Sequence, residues 1–448
     1  MALSRRQLLQ GAATGLAATF GPLRWMEALA APANDYKALV CIFLFGGNDG
    51  NNMVIPMEAA EYSSYATARA GMALAKDSLA SIGAPTSLGG RTFGLHPGMA
   101  DLAPLFQQKK LAVLCNVGTL LAPMTKAQYA TRSLRPSNLY SHSDQANQWQ
   151  TSQSQGIARS GWGGRIADAA YALNGGIAVP MVMSLSGSNL FSIGAQRSPL
   201  VLPTSGTFGL SGTTGTAGTA RLDSVRKLLG LDRGNEMVDA ASAVMLQAID
   251  NSALMNPIIN STTSAAAPAF ANLNSSIAKQ LYAVARIIEN RAATGLKRQI
   301  FFCSMGGYDT HSDQLNAQTN LLTQLGQAMA AFAKATDLLG VSDSVVTFTG
   351  SDFSRTLKPA SGGGTDHAWG NHQLVMGGPV KGGDFYGTFP KLELKGPDDV
   401  DGAGRWIPTT SVDQYAATLA NWFGVALGDI GSVLPNLSRF ATPNLGFL

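Results

Sequence analysis

Carboxylates follow three apolar, strand-like runs of this 448-residue sequence. The three pairs of run and carboxylate are 38–45 with Asp49, 299–304 with Asp309, and 344–349 with Asp352. Ligands of an open α/β sheet bind beyond the carboxyl ends of its strands, and a cation there would offset the cost of crowding anions at a buried edge. The pattern therefore predicts a metal site at one edge of a sheet. Taken singly, each aspartate also fits the commoner role of a helix N-cap or a turn former.

Histidines reinforce this pattern, because three of the five in the chain lie in or beside similar glycine- and aspartate-rich turns: His311, His367 and His372. Imidazole and carboxylate ligands together favour zinc, or a mixed site for zinc, manganese, magnesium or calcium, over a soft thiolate site. Asp309 and His311 project to the same side of an extended chain, so the spacing allows a shared metal. The alternative for any single histidine is a solvated or hydrogen-bonded turn residue, which is the simplest interpretation of His96.

A serine–histidine pair marks a further candidate. Ser141, His142 and Ser143 precede a helix-like segment over 145–151. Ser141 or Ser143 at the start of that helix would be a nucleophile flanked by free backbone N–H groups and by the positive end of the helix dipole. The competing interpretation of Ser141 is an ordinary helix N-cap.

The elements that must position these residues follow an α/β rhythm. Short apolar runs alternate with amphipathic, helix-like segments, of which 276–294 and 320–339 are clear examples. The strand-like runs are 38–45, 111–117, 179–185, 299–304, 344–349 and 373–376. This alternation predicts a doubly wound, mainly parallel sheet. Residues 186–275 interrupt the rhythm, and we expect a loop-rich insertion with short helices over 223–229 and 236–250, lying over the sheet as a cap.

The first thirty residues predict export. A Ser-Arg-Arg-x-Leu-Leu stretch contains Arg5 and Arg6, a modest apolar run follows, and a small-x-small cleavage site ends before Ala31. This is the pattern of a twin-arginine signal peptide over 1–30. An arginine-rich helix on a cytosolic protein is the alternative, but it does not explain the cleavage site. We therefore expect a mature protein, 31–448, without a transmembrane segment, which passes through the twin-arginine translocase to the periplasm or the exterior.

Composition bears on partners and on redox chemistry. The net charge is only +4, and part of this excess lies in the first thirty residues, so no basic patch indicates nucleic-acid binding. The three cysteines, Cys41, Cys115 and Cys303, lie inside apolar runs. We expect them to be buried free thiols rather than disulfides.

Seven motifs span nearly the whole chain. They are the twin-arginine start, Phe-Leu-Phe-Gly-Gly-Asn-Asp-Gly at 43–50, Ser-His at 141–142, Gly-Trp-Gly-Gly-Arg at 161–165, Gly-Tyr-Asp-Thr-His at 307–311, Ser-Asp-Phe-Ser-Arg-Thr at 351–356, and Gly-Thr-Asp-His-Ala-Trp-Gly-Asn-His at 364–372. Together they resemble an exported bacterial family labelled domain of unknown function 1501. That family is similar to the alkaline phosphatase and sulfatase superfamily, whose members hold one or two metals at the carboxyl ends of a parallel sheet and attack phosphate or sulfate esters. The resemblance implies an alkaline phosphatase-like fold over 31–448.

Carried over motif by motif, the resemblance assigns metal ligands and catalytic residues. The implied metal ligands are Asp49, Asp309, His311, Asp352, and His367 or His372; the implied catalytic residues are Ser141 as nucleophile and Arg355 as donor to a non-bridging oxygen. Two metals would activate the nucleophile and stabilise both oxygens of an in-line displacement. Two departures stand out: Phe353 replaces the histidine that commonly follows the aspartate at 352, and the Asp309–His311 spacing is shorter than the usual Asp-x-x-x-His. They allow a rebuilt site, a one-metal site or a loss of catalysis.

Three functional hypotheses follow. The leading one is an exported, metal-dependent hydrolase of phosphate or sulfate esters, acting on a small-molecule or glycan ester with a divalent metal, zinc before manganese, magnesium or calcium. The alternative is a non-catalytic envelope or glycan-binding protein on the same fold, for which Phe353 is the main support. The third is an exported enzyme of another class, for example an oxidoreductase.

Overall fold

The computed structural model describes residues 35–448 with the exception of Ser133. The chain divides into two units, 1–36 and 37–448, and the elements given below belong to the second. The predicted signal peptide, with Arg5 and Arg6, lies outside the described residues. Within the described part of the chain, no helix is both long and apolar enough to cross a membrane.

The described residues form strands and helices in alternation. The strands are β1 (Lys37–Leu44), β2 (Val54–Pro56), β3 (Ala80–Gly83), β4 (Phe93–Leu95), β5 (Leu111–Gly118), β6 (Val182–Ser184), β7 (Leu200–Val201), β8 (Arg298–Met305), β9 (Val345–Ser351), β10 (Asn371–Met376), β11 (Phe385–Tyr386) and β12 (Thr410–Ser411). The α-helices are α1 (Gly50–Met53), α2 (Ala59–Arg69), α3 (Ala103–Gln107), α4 (Lys126–Ala130), α5 (His142–Thr151), α6 (Trp162–Ala169), α7 (Gly215–Leu229), α8 (Glu236–Ile259), α9 (Ser276–Glu289), α10 (Arg291–Thr294), α11 (Gln314–Leu338), α12 (Val412–Phe423) and α13 (Ile430–Val433).

A nine-stranded sheet forms the centre of the fold. Its order is β11-β5-β10-β9-β1-β8-β6-β7, with β12 also paired to β5. The neighbours from β9 through β1, β8 and β6 to β7 run parallel, as do β11 and β12 with β5. Only β10 is antiparallel to its neighbours, β5 and β9. A separate antiparallel sheet joins β2, β4 and β3. The prediction of an α/β fold with a mainly parallel central sheet is confirmed.

Both faces of the central strand are covered, as expected for a parallel sheet. Every residue of β1 from Ala38 onward is buried. On one face, Leu39 and Phe43 belong to the same core cluster as Tyr415 of α12. Elsewhere in the fold, α9 packs against β8, and α11 packs against α9. The three cysteines are buried and free, as predicted.

All six predicted strands form, with shifted ends. β6 is shorter than the predicted run 179–185, because Pro180 lacks the N–H that a paired strand position needs. β10 begins at Asn371, so that His372 lies inside the strand rather than before it.

The segment 186–275 is partly different from its prediction. It contributes β7, which extends the central sheet beside β6. α7 begins at Gly215 instead of 223, and α8 continues to Ile259 instead of 250. Its role as a cap over the sheet stays a prediction.

Candidate metal centre

Three neighbouring strands deliver the turns that carry candidate ligands. β9, β1 and β8 run parallel side by side, so their carboxyl ends lie at one edge of the sheet. Asp352 directly follows β9, and Asp309 follows β8. Gly46, after β1, lets these turns approach each other: its φ is +111°, and a Cβ at this position would lie 2.5 Å from the backbone nitrogen of Asp309. Any larger residue would push the two turns apart.

A short antiparallel pairing brings His367 to the same edge. Arg355, in the segment after β9, forms an antiparallel bridge with His367. Backbone hydrogen bonds of 2.8–3.1 Å join 354–356 to 366–369. The loop before β10 is therefore held against the turn after β9.

His142 is the first residue of α5, and Ser141 is the N-cap of that helix. The Ser141 hydroxyl accepts a hydrogen bond from the backbone N–H of Asp144 at 3.4 Å and donates one to the Asp144 carboxylate at 2.6 Å. Ser141 thus has the capping role that competed with its assignment as nucleophile. Since the cap fixes where α5 begins, it also fixes where His142 projects.

Three ligand atoms converge at this edge. Nε2 of His142 and Nε2 of His367 lie 3.1 Å apart, and each is 3.3 Å from Oδ1 of Asp309. Adjacent ligand atoms around a tetrahedral zinc ion bound at about 2.0 Å are about 3.3 Å apart. These three side chains form a group of histidine and acidic residues with metal-ligand spacing. The geometry fits three protein ligands and an open fourth position.

Hydrogen bonds at the other ring nitrogens hold both imidazoles in place. Nδ1 of His142 is 2.8 Å from Oδ2 of Asp352, and Nδ1 of His367 is 2.7 Å from the carbonyl oxygen of Tyr140. A carboxylate and a carbonyl only accept, so each Nδ1 carries the proton and each neutral ring presents its Nε2 lone pair. Two such lone pairs repel at 3.1 Å unless a proton or a metal cation lies between them. Metal-bound histidines have this kind of outer support.

His311 places a further nitrogen beside the three ligands. Its Nε2 lies 2.9 Å from Oδ1 of Asp309 and 3.0 Å from Nε2 of His367. The side chain is 48% exposed, more than that of His142 or His367. The structure therefore brings together the predicted residues Asp309, His311 and His367, with His311 on the solvent side.

Arg355 is bound to Asp309 rather than free to contact a substrate. Its side chain is fully buried, and its Nη1 donates to Oδ1 of Asp309 at 2.8 Å. Nε donates to the Thr365 hydroxyl at 3.2 Å, and Nη2 bonds the Thr365 carbonyl. The predicted role as a donor to a substrate oxygen needs correction, because these donors are already used. Arg355 positions Asp309.

The charges around the three ligands shift their protonation in different directions. Burial raises the pKa of Asp309, but the hydrogen bond and charge of Arg355, together with nearby histidines, outweigh it and lower this pKa below its usual value. The hydrogen bond to Asp352 raises the pKa of His142, whereas burial lowers the pKa of His367. The group thus combines an ionised carboxylate, a histidine that readily takes a proton and a histidine that stays neutral. A metal cation would displace that proton.

Asp352, predicted as a ligand of a second metal, lies behind His142 instead. Its side chain is 2% exposed, and Oδ2 binds both the His142 ring and the N–H of Gly46, the latter at 3.0 Å. Oδ1 has no hydrogen-bond partner within the described residues. Because its bonded oxygen faces the far nitrogen of the ring, Asp352 orients a ligand and is not itself among the three.

Asp49, predicted as the first-strand metal ligand, is neutralised by an arginine. Its buried carboxylate forms an ion pair with the buried Arg69 and also accepts from the Gln314 amide and the backbone N–H of Asn51. It is the N-cap of α1, which was the alternative interpretation. A buried strand-end anion does need a cation, but here that cation is Arg69, so this prediction is corrected.

His372, predicted as a metal ligand, is a core residue of β10. Its ring stacks on Phe389 with centroids 4.8 Å apart, and Nδ1 accepts from the backbone N–H of Asn116 at 3.3 Å. Burial lowers its pKa to about 3, so the ring is neutral at ordinary pH. The prediction failed because β10 begins before His372. His372 is therefore a buried strand residue and not part of the turn.

Phe353 packs against the two histidine ligands. Its buried ring has centroid distances of 4.7 Å to His142 and 4.9 Å to His367. The turn after β1 closes over this ring, since a Cβ on Gly47 would lie 2.5 Å from it. The position after Asp352 is thus occupied by an apolar ring that packs on both histidines.

An open cleft of about 470 Å³ lies against the ligands. It is lined by Phe45, Gly46, His142, Ser143, Ala146, Asn147, Gln150, Gly306, Gly307, Asp309 and Asp352. A larger groove of about 650 Å³ lies elsewhere, beside α2, but none of the clustered histidines or aspartates lines it. We assign the candidate site to the cleft because His142 and Asp309 line it.

His142 is a candidate ligand that the sequence motifs do not predict. It lies 210 residues from Asp352 and 225 residues from His367 in the chain. Its only sequence signal was the Ser-His-Ser-Asp context ahead of a helix. From the sequence alone, that context predicts a serine nucleophile.

Comparisons with known proteins identify a family for this chain. No curated protein matches the chain. The structure described as "Crystal structure of Ps i-CgsB in complex with k-i-k-neocarrahexaose" is 9% identical with a TM-score of 0.34, covering 91% of this chain and 77% of that one. "Crystal structure of Ps i-CgsB" is 8% identical with a TM-score of 0.32, covering 90% and 77%. Likeness at these scores supports no conclusion about function.

The sequence itself matches a family over most of its length. The matched residues, 36–400, include every histidine and aspartate of the candidate site. The chain therefore belongs to the family described as "Protein of unknown function (DUF1501)".

Proposed function

We propose that this protein is an exported, metal-dependent hydrolase of phosphate or sulfate esters, with one divalent metal, zinc before others, held by His142, Asp309 and His367. The observation that carries the proposal is the convergence of two anchored Nε2 atoms and one carboxylate oxygen at separations of 3.1–3.3 Å. A metal held there would polarise an ester oxygen and lower the pKa of a bound water. The groups around the metal would bind the anionic part of the ester and supply the nucleophile.

The surroundings favour a negatively charged reacting group. His142 and Ser143 lie in the first turn of α5, where backbone N–H groups have no partner within the helix. The positive end of the helix dipole adds to their attraction for an anion. Together with a divalent cation, this turn would bind a phosphate or sulfate better than an uncharged ester.

The positions of the two serines favour Ser143 or water over Ser141 as the proposed nucleophile. Ser143 lines the cleft, and its hydroxyl lies 3.2 Å from that of Ser141. Ser141 does not line the cleft, and its hydroxyl donates to Asp144. An attacking hydroxyl would therefore come from Ser143 or from water. The test uses a 4-nitrophenyl ester, whose leaving group offers no further hydroxyl for Ser143 to bind. A Ser143→Ala variant that retains full activity would select water, and one that loses activity while keeping its metal would select the serine.

Metal content and ester hydrolysis together test the proposal. Near-stoichiometric zinc or another divalent metal is expected in the wild type, along with hydrolysis of a 4-nitrophenyl phosphate or sulfate that chelation abolishes. Asp309→Asn and His367→Ala should lose both metal and activity. Asp337→Asn, which removes an exposed carboxylate paired with Lys110, is the matched control. Hydrolysis that survives exhaustive chelation would overturn the proposal.

A non-catalytic binding protein is the second candidate, favoured by the apolar ring of Phe353 beneath both histidines. It predicts that ligand binding survives Asp309→Ala and His367→Ala. Binding to immobilised glycans, measured with and without these changes, separates the two candidates. Binding that disappears in both variants would favour the hydrolase.

Export is part of the proposal and has its own test. Replacing both Arg5 and Arg6 by lysine should retain the protein in the cytoplasm of its native host, because the twin-arginine motif is the recognised signal. Cell fractionation measures the distribution. Unchanged export would refute the twin-arginine route without affecting the metal site.

A further inference from the structure

One wall of the cleft beside the ligands is a polar, uncharged helix face. Ser143, Asn147 and Gln150 line the cleft, and their spacing of four and three residues places them on one side of α5. Ser143 and Asn147 are exposed. From His142 to Gln150 the helix rises about 12 Å, so this wall extends well beyond the reach of the reacting group alone.

The amide at the far end of this wall has a fixed orientation. Gln150 is 4% exposed, and its Oε1 accepts a hydrogen bond from the backbone N–H of Phe191 at 3.0 Å. Since a backbone N–H only donates, the oxygen must face it and the NH₂ group remains as a donor. No other hydrogen bond of this side chain occurs within the described residues. A buried amide held in this way is suited to donate to a ligand oxygen.

The charges around the cleft oppose a substrate with several anionic groups. None of the residues that line it is a lysine or arginine, whereas Asp309 and Asp352 are among them. The negative charge of one reacting group would be offset by the metal and by the start of α5. Any further anionic group would face neutral amides and carboxylates without compensation.

A second wall of the cleft offers backbone and an aromatic ring. Gly306 and Gly307 are exposed and carry no side chain, and an added Cβ at Gly306 would meet nothing within 4 Å. Phe45 lines the cleft and packs on Phe43 with ring centroids 4.6 Å apart. This wall can accommodate a ligand ring against its apolar side while the amides of the other wall bind hydroxyl groups.

We infer that the alcohol part of the substrate is neutral and rich in hydroxyl groups, such as a sugar or another polyol, and that Ser143, Asn147 and Gln150 bind it. The inference rests on the proposed ester hydrolase and names its substrate class. It excludes nucleotides and other polyanionic esters as preferred substrates. Each hydroxyl of such a group both donates and accepts, which matches the hydroxyl and carboxamide groups of this wall.

The test compares two esters of the same acid in variants of the helix wall. Hydrolysis of a hexose 6-phosphate or 6-sulfate is measured beside that of the 4-nitrophenyl ester, with metal-loaded wild type, Asn147→Ala and Asn147→Lys. The ratio of kcat/KM for the sugar ester to that for the aryl ester should fall about 3- to 10-fold in Asn147→Ala, the effect of one neutral hydrogen bond. Asn320→Ala, an exposed helical asparagine that does not line the cleft, should leave the ratio unchanged.

Asn147→Lys adds a charge test. A lysine there should raise kcat/KM for a nucleoside 5′-diphosphate relative to the sugar ester, because it supplies the missing compensation for an additional anionic group. Two results would overturn the inference while the proposed function stands, provided that the wild type hydrolyses the aryl ester. In one, the ratio is the same in Asn147→Ala as in the wild type. In the other, the wild type prefers the nucleotide to the sugar ester.

Failure of the proposed function gives a different result. If neither ester is hydrolysed by the metal-loaded protein, the hydrolase proposal is refuted, and calorimetry with the free hexose tests the inference alone. Binding that weakens about 3- to 10-fold in Asn147→Ala would support the sugar subsite. No binding of the hexose to the wild type would overturn it.

Discussion

An Asp352→Asn substitution should weaken metal binding while leaving the three ligands in place. Oδ2 of Asp352 is 2.8 Å from Nδ1 of His142 and accepts from the N–H of Gly46 at 3.0 Å. Asparagine has nearly the same shape but no charge, so the bond to His142 becomes a neutral one. Charge-assisted hydrogen bonds contribute about 1.5–3 kcal/mol and neutral ones about 0.5–1.5 kcal/mol. Loss of such outer support typically costs about 10- to 100-fold in metal affinity, so we expect the metal Kd to rise by about that factor.

Two measurements check this expectation. Competition with a chromophoric chelator at fixed pH gives the metal Kd of the wild type and the variant. NMR titration of the metal-free protein gives the pKa of His142. Since the hydrogen bond to Asp352 is the main cause of the raised pKa of His142, this pKa should fall in the variant, which a purely structural role of Asp352 would not produce.

Controls make the result decisive. Asp337→Asn, which changes a carboxylate that is 47% exposed, should alter neither quantity. His142→Gln removes the ligand itself and should weaken metal binding further than Asp352→Asn does. An Asp352→Asn protein that folds, binds metal as tightly as the wild type and keeps the pKa of His142 would refute the reasoning that this carboxylate holds a metal-binding ring.

Three further predictions concern the scaffold. Gly46→Ala should destabilise the protein by about 1–3 kcal/mol, because φ is +111° and the Cβ would lie 2.5 Å from a backbone nitrogen. Gly306→Ala is the control, since a Cβ there meets nothing within 4 Å. Equal urea midpoints for the two variants would contradict this prediction. Arg69→Met should cost about 3–5 kcal/mol by leaving the buried charge of Asp49 unpaired, and adding Asp49→Asn should recover part of the loss; a double variant no more stable than the single one would argue against the ion pair as the cause. Burial lowers the pKa of His372 to about 3, against about 6.5 unfolded, so its contribution to the free energy of unfolding is fully present above pH 6.5 and is lost as pH falls toward 3, by up to about 5 kcal/mol. The free energies of unfolding of wild type and His372→Gln should therefore converge between pH 7 and 4. Parallel curves would show that the histidine is not responsible.

The general location of the site could be predicted because of a topological rule. Parallel strands end at the same edge of a sheet, so the turns after β8 and β9 had to meet whatever their other contacts. Asp309 and His311 could be predicted because they follow an apolar run, whereas His367 was predicted from a polar turn that precedes one. His372 was predicted as a turn residue because the apolar run begins at 373, but β10 begins two residues earlier, at Asn371, and buries it.

Which carboxylate faces a metal could not be predicted from the turns alone. Asp49 and Asp309 both follow buried strands, but the ion pair between Asp49 and Arg69 depends on where α2 packs. His142 joins the ligands through a contact that spans 225 residues of chain. No local sequence pattern predicts such long-range contacts. The surrounding chain decides whether the same residue type caps a helix, pairs with an arginine or binds a metal.

The balance of charge at this edge argues for one metal rather than two. Four carboxylates lie at this edge: those of Asp49, Asp309 and Asp352, and that of Asp366, which is 3.8 Å from the His311 ring. The guanidinium groups of Arg69 and Arg355 offset two of them, which leaves two negative charges when the histidines are neutral. One divalent cation would bring the local charge to about zero. A second cation would leave a positive excess of about two charges in a partly buried place, beside the apolar ring of Phe353. Imidazole ligands around a single ion also favour zinc over magnesium or calcium, so the metal that co-purifies should be zinc even when harder cations are in excess.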